Sequence, residues 1–378
     1  MQRIQLLPSL ILLLTVAAFA EKTPFDLLKL RAPDGFHISV FAEIDAPRML
    51  VFSPGGTLMV SEPDEGGKVV ALPDSKHAGK AERVVTVLSG LNEPHGLAFY
   101  EGKFYVAEND AVRRYDWDEA NLRATNAVKV ANLPGGGGHS TRSLLFLDSK
   151  MYVSAGSSCN VCIEKDERRA AVLQFNPDGS GQKIFARGLR NAVGLAANPK
   201  TDTVWVTVNG RDWLGDDLPP ETVYDLTKNG GDAGWPFCYG DHVPDPNFTK
   251  AGDHRCESVL RPMVQMQAHS APLGLAFYPG SIDQRSMFPA EYRNSLFIAL
   301  HGSWNRSVPT GYKVVRVKLD DKGQPVGGAQ DFLTGWLAPG ETKKGRWMGR
   351  PVGIAFGGDG AMYLSDDAGG VVYRVTWH

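Results

Sequence analysis

The 378-residue sequence has little cysteine, no excess of charge of either sign and no long amphipathic helical stretch. It also has a single extended apolar run. Each scarcity excludes something. A formal net charge of -2 gives nucleic acid or an anionic membrane no electrostatic grip on the chain, so neither is expected as a partner. The apolar run, Leu6 to Val16, is shorter than a membrane span, and no second one follows. With Arg3 before it and Ala18-Phe19-Ala20 after it, the run reads as a secretory signal over residues 1–20. No cysteine lies near Ala20, which argues against a lipid anchor. The expected product starts near Glu21, inserts in no membrane after cleavage, and resides in a periplasm or outside the cell.

The four cysteines suit that compartment. Cys159 and Cys162 form a C-x-x-C pair, and Cys238 and Cys256 flank a second short segment. In an exported chain the expected pairing is two local disulfides, with a zinc site as the alternative. Ile163 follows Cys162 where a covalently attached haem needs histidine, so that cofactor is excluded.

What is abundant is glycine, 42 residues of it, beside segments of β type. A strand pair recurs along the chain. It appears as Met49–Phe52 with Thr57–Val60, Gly96–Phe99 with Lys103–Val106, and Ser143–Phe146 with Met151–Val153. It returns as Gly194–Ala197 with Thr203–Val206, Gly274–Phe277 with Ser295–Ile298, and Gly353–Phe356 with Ala361–Leu364. Phe52, Phe99 and Phe146 are spaced by 47 residues, the length of a four-stranded propeller blade. One twisted sheet cannot bury both faces, whereas blades stacked around an axis can. The fold expected is all-β: a six-bladed β-propeller over residues 21–378 as a single domain, with long loop insertions in the last blades. Residues 209–268 and 318–349, rich in Gly, Pro and charge, are read as those insertions. Phe36–Phe41 is expected to close the ring beside Val371–Val375. A β-sandwich, or two β domains, leaves this spacing unexplained.

In a propeller, the loops entering the innermost strands surround one mouth of the channel. Those loops hold Arg48, His95, His139 with Arg142, Arg190-Asn191, His269 and Arg350. Cationic and imidazole groups in such a ring suit an anionic, oxygen-rich ligand.

Here the chain resembles the soluble quinoprotein sugar dehydrogenases, and within them the sorbosone dehydrogenase-like branch. The resemblance lies in Gly137-Gly138-His139-Ser140-Thr141-Arg142, Gly188-Leu189-Arg190-Asn191, Asn209-Gly-Arg-Asp212 running into Leu214–Pro220, Gly234-Trp235-Pro236, His301–Arg306 and Gly349-Arg350-Pro351-Val352. Singly these motifs are weak; as an ordered set they cover nearly all of the mature chain. The resemblance implies pyrroloquinoline quinone (PQQ) in the channel mouth, bridged to the protein by Ca2+. His139 matches the general base that takes a proton from the sugar C1 hydroxyl, a task for a group that is neutral before the step. Arg190 matches the arginine facing the quinone, with Asn191 beside it. Arg350 and Arg306 match groups that pair with the cofactor's carboxylates, Arg306 standing where some relatives have lysine. Gly234 and Pro236 match a loop whose main-chain oxygens bind calcium, with Asp216, Asp217 and Glu221 nearby. The partners implied are a small-molecule sugar and an electron acceptor that the sequence does not identify.

Two departures bear on substrate. Gly138 stands where glucose-oxidising relatives carry Asp, and their sugar-binding glutamine has no clear counterpart, Asn92 and His95 being nearest. The competing functions are a metal-dependent propeller lactonase, recruiting Glu62, Asn109, Asn209 and Asp366, and a propeller that has lost its cofactor.

Overall fold

The glycine that opens four of the six repeats has one structural cause. In the computed structural model, which describes residues 26–64, 66–248, 256–280 and 287–378, the inner strands lie too close for a side chain. A Cβ on Gly96 would come within 2.6 Å of the Arg142 carbonyl oxygen and the Leu144 nitrogen, on the next repeat. On Gly194 it would lie 2.3 Å from the Leu273 oxygen, on Gly274 2.4 Å from the Val352 oxygen, and on Gly353 2.5 Å from the Arg48 oxygen. Those contacts run from each repeat to its successor and from the last back to the first. They trace the ring of a six-bladed β-propeller, with inner strands Leu50–Phe52, Leu97–Tyr100, Leu144–Leu147, Ala192–Asn198, Pro272–Phe277 and Pro351–Phe356.

A hydroxyl on the second strand locks neighbouring blades together. Ser61 accepts from the Met49 amide at 3.0 Å and donates to the His95 carbonyl of the next blade at 2.9 Å. Thr207 accepts from the Gly194 amide at 2.8 Å and donates to the Leu273 carbonyl at 2.6 Å. Ser365 repeats the pattern between Gly353 and Arg48, sealing the last blade to the first. Closure in register comes from Phe36–Glu43, which pairs antiparallel with Val371–Trp377 as the outer strand of the sixth blade. Phe36 anchors that strand edge-on against Phe288, Phe332 and Tyr292, with ring centroids at 4.7, 5.0 and 5.1 Å.

The supposed insertions are partly blade. Residues 209–268 contain Glu221–Asp225 and Val264–Met266, the third and fourth strands of blade four. Glu221–Tyr224 is buried on both faces, which removes the in–out alternation that marks a strand in sequence. Likewise 318–349 contains Gln330–Leu333, the outer strand of blade five. The segment from 226 to 263 is a true excursion, and it adds Gly231–Asp232 in parallel to the edge of blade three. Both expected disulfides are formed, Cys159–Cys162 and Cys238–Cys256. The signal over residues 1–20 lies outside the described residues.

Trp205 measures what inter-blade packing contributes. It is fully buried between blades four and five, edge-on to Phe277 at 5.5 Å. Replacing it with alanine empties a site that adjoining sheets cannot collapse into, so Trp205→Ala should cost about 3–5 kcal/mol. Urea unfolding measures the loss.

Candidate active site

The loop carrying His139 begins as Pro134 and four consecutive glycines, which present carbonyls and no side chains. Two buried arginines hold that loop. Arg142 donates to the carbonyls of His139 at 2.9 Å and Pro134 at 2.7 Å. Arg169 donates to those of Pro134 at 3.0 Å, Gly135 at 2.8 Å and Gly136. The clamp explains why the loop tolerates no side chain at Gly137, where a Cβ would meet the Arg169 guanidinium at 2.8 Å.

Within this frame the His139 imidazole has a defined tautomer. Its Nδ1 lies 3.0 Å from the Ser157 carbonyl oxygen and 2.9 Å from Ser157 Oγ. A carbonyl only accepts, so Nδ1 carries the proton and Nε2 holds the free lone pair. Burial pushes His139 down to about 4, and the positive charges of Arg190, Arg142 and Arg169 push the same way, against the Ser157 hydrogen bond. The ring is therefore neutral across the physiological range, as a proton acceptor must be. Histidine imidazole NMR on protein free of quinone should show His139 as the Nδ1–H form, protonating near pH 4 rather than 6.5. An anionic ligand at the mouth offsets three positive charges, so adding PQQ should move that midpoint upward.

Arg190 is buried and fully engaged. Nε donates to the Asn160 carbonyl at 2.8 Å, one terminal nitrogen to the carbonyls of Gly210 at 2.6 Å and Asn209 at 3.3 Å. The other donates to Asn160 Oδ1 at 2.9 Å and Asp212 Oδ2 at 3.2 Å. All five N–H groups of a guanidinium are thereby spent on the protein. What Arg190 delivers to the mouth is positive charge and fixed loop geometry. Asn191, next to it, has its Oδ1 buried with no partner among the described residues.

Across the mouth, Arg350 donates to the carbonyls of His301 at 3.0 Å and Gly302 at 2.6 Å, while its own amide is held by Asp366. Arg306 pairs with the exposed Asp217 at 2.9 Å and keeps its Nε buried and unpartnered among the described residues. The sequence reading missed a chain of three: His301 Nε2 lies 3.0 Å from Asp367, which Arg48 holds at 2.6 Å. Asp367 is kept well below the usual carboxylate range by that imidazole and guanidinium. Arg48, His95, Glu93, Ser140, Thr141 and Asp367 line a cavity of about 420 Å³ beside the His139 loop. His95 is buried and pushed down to about 3, and its Nε2 has no partner among the described residues.

The Gly234–Pro236 turn lies against Arg190, its Trp235 amide donating to the Gly188 carbonyl at 3.2 Å. Gly234 does not fit its expected ligand role. Its carbonyl already accepts from Phe237 and Cys238, both at 2.9 Å, and both lone pairs are taken. The carbonyls of Trp235 and Pro236 accept no hydrogen bond among the described residues and remain available to a hard cation. The carboxylates near that turn are hydrogen-bonded within the protein: Asp217 pairs with Arg306, Asp216 accepts from the Ser307 amide, and Glu221 accepts from Gly210 and Ala271. Three of the four residues a lactonase would recruit are also committed, and the fourth, Glu62, is buried. Asn109 is bonded to Glu93 and Gly136, Asn209 to Pro272, and Asp366 to Trp336 and Tyr373.

The fold is a six-bladed propeller whose inner loops carry Arg48, His139, Arg190 and Arg350. The chain belongs to the TrAA12-like family, whose model matches residues 30–378. It is 29% identical to an uncharacterised protein of Borreliella burgdorferi over 99% of this chain and 97% of that one. It is 25% identical to a pyrroloquinoline quinone-dependent pyranose dehydrogenase of Coprinopsis cinerea over 92% of this chain, which spans 54% of that enzyme. Among solved structures, the holo form of the PQQ domain of pyranose dehydrogenase from Coprinopsis cinerea superposes with a TM-score of 0.76 at 22% identity, covering 92% of this chain and 97% of that one. A calcium structure of a Trichoderma reesei carbohydrate-active enzyme of family AA12 gives 0.77 at 22% identity, with the same coverage of both chains.

Proposed function

We propose that the protein is a PQQ- and Ca2+-dependent sugar dehydrogenase in which His139 is the general base. The observation that carries this reading is the His139 imidazole itself: Nδ1 pinned by Ser157, Nε2 open as acceptor, and a positive ring around it. The donors present fit the cofactor, because Arg306 Nε and Trp235 Nε1 are buried without partners among the described residues and suit carboxylate or carbonyl oxygens. When bound, PQQ would supply the hydride acceptor and calcium would supply Lewis acidity. The chain does the rest. His139 Nε2 takes the hydroxyl proton, and Ser157 keeps the other nitrogen protonated, so the transfer has one direction. Arg190 favours negative charge developing at the mouth through its own charge. Arg350, Arg306 and Asn191 hold the anionic cofactor edge, and the carbonyls of Trp235 and Pro236 hold the cation.

The substrate proposed is an aldose or related sugar aldehyde of sorbosone type rather than glucose alone, because Gly138 supplies no orienting carboxylate. Electrons then leave to an acceptor not identified by the site. Export to a periplasm or the exterior is supported by the two disulfides. Among the described residues no helix is long and apolar enough to cross a membrane.

The test is to mix purified protein with PQQ and Ca2+ and follow dye reduction over a panel of aldoses that includes sorbosone. Saturable, quinone-dependent reduction supports the reading. No quinone binding and no reduction overturns it, and lactone hydrolysis in the same preparation would install the metal-dependent alternative.

A further inference from the structure

The Cys159–Cys162 disulfide closes a four-residue ring that bonds Arg190 directly and reaches His139 through Ser157. Ser157, two residues before Cys159, donates its hydroxyl to the Cys159 carbonyl at 2.7 Å. With its proton so directed, Ser157 Oγ can only accept from His139 Nδ1. The Ser157 amide in turn donates to the Arg190 carbonyl at 2.7 Å, and the Gly138 amide to the Ser158 carbonyl at 3.2 Å. Inside the ring, Asn160 takes Arg190 through its carbonyl and its Oδ1, at 2.8 and 2.9 Å. The same Oδ1 accepts from the Asp212 amide at 2.8 Å, and Nδ2 donates to the Asp212 carbonyl at 3.2 Å. Glu164 closes the far side by accepting from the Ser158 amide at 2.6 Å and its hydroxyl at 2.8 Å. Residues 158–170 form no regular strand or helix. Strand pairing therefore does not hold Asn160 against Arg190; what holds it is the disulfide ring together with the two hydrogen bonds to the Asp212 backbone.

We propose that the Cys159–Cys162 ring is a positioning element of the site, fixing which nitrogen of His139 is free and where Arg190 points. Cys159, Asn160 and Cys162 act through His139 and Arg190 and need touch no substrate. The inference rests on the proposed function for its kinetic consequence, and on geometry alone for its structural one. Opening the ring is a two-electron reduction by an external dithiol: the S–S bond breaks, each sulfur gains a proton, and the dithiol becomes a disulfide. Cys238 and Cys256 are buried, whereas Cys159 and Cys162 are partly exposed, so limited reductant should reach the ring first.

The experiment reads the His139 tautomer by imidazole NMR in quinone-free protein, before and after limited reduction, with mass spectrometry locating the opened disulfide. The intact ring should give the Nδ1–H form; the opened ring should give a mixture of tautomers. Cys159→Ala/Cys162→Ala should reproduce the mixture. In the quinone-loaded enzyme, the double variant should lose on the order of 10–10²-fold in kcat with KM within about twofold, the scale of a misplaced reacting group. Asn160→Ala and Ser157→Ala keep the disulfide and cover the case in which the double variant does not fold. Asn160→Ala should lower kcat alone, and Ser157→Ala, which removes Oγ but keeps the carbonyl, should loosen the tautomer only in part. An unchanged tautomer after reduction and in Ser157→Ala, or wild-type kcat in the double variant, overturns the proposal. If wild-type protein binds no quinone and reduces no dye, the functional reading falls while the tautomer measurement still decides the ring's role.

Discussion

His139→Ala should lower turnover by on the order of 10²–10⁴-fold while leaving quinone binding intact. In the proposed mechanism the sugar hydroxyl proton goes to His139 Nε2, because Nδ1 is committed to Ser157. Alanine removes that lone pair and adds no charge. The groups assigned to the cofactor, Arg306, Arg350, Asn191 and the Trp235 and Pro236 carbonyls, sit on other loops and are not touched. Nor does the loop itself depend on the imidazole, since Arg142 and Arg169 hold its carbonyls directly. Quinone titration by absorbance and steady-state dye reduction separate the two effects. Unchanged kcat would remove His139 from the mechanism. Lost quinone binding would make it a cofactor ligand instead.

Much of this was visible in the sequence, for reasons particular residues make plain. The inner strands stood out because Gly96, Gly194, Gly274 and Gly353 are forced by contact with the next blade, so the signal repeats wherever the contact does. The interlocking hydroxyls Ser61, Thr207 and Ser365 recur on the second strands as well, yet a Ser or Thr there carries no mark of its cross-blade bond. Outer strands of blade four were lost because Thr222-Val-Tyr224 is buried on both faces and Val264–Met266 is only three residues long. In the site, the run Gly135–Gly138 announced a loop that needs donors. That Arg169 supplies them, from beyond the Cys159–Cys162 ring, depends on how two loops cross, which local pattern does not encode. The saturation of Arg190 was equally hidden, because its acceptors come from residues 160, 209, 210 and 212.

Arg190→Ala should both destabilise the fold and release His139 toward its ordinary protonation range. The guanidinium satisfies four backbone or side-chain acceptors on the 160 and 209–210 loops and pairs with Asp212 in a buried setting. Alanine strands those acceptors and leaves the Asp212 carboxylate without its cation, a loss of about 3–5 kcal/mol for one partner of a buried pair. Arg190→Lys separates the two functions of the side chain. An ammonium keeps the charge but has three donors at one point, which cannot reach Asn160 on one side and Gly210 on the other. Lysine should therefore remain destabilised, by less than alanine. Burial holds His139 down most and Arg190 is the foremost charge adding to it, so in alanine the His139 midpoint should rise from about 4 while staying below 6.5, and in lysine it should stay low. The sign for stability follows. A histidine whose folded pKa lies below its unfolded value loses stability as pH falls through that window, because the unfolded chain binds the extra proton. Raising the folded value narrows the window. The alanine variant, weaker overall, should therefore show a shallower decline in unfolding free energy between pH 6.5 and about 4 than the wild type or the lysine variant. Urea unfolding at several pH values, together with the imidazole titration, measures both. A steep decline with an unmoved His139 in Arg190→Ala would show that its charge does not act on the base.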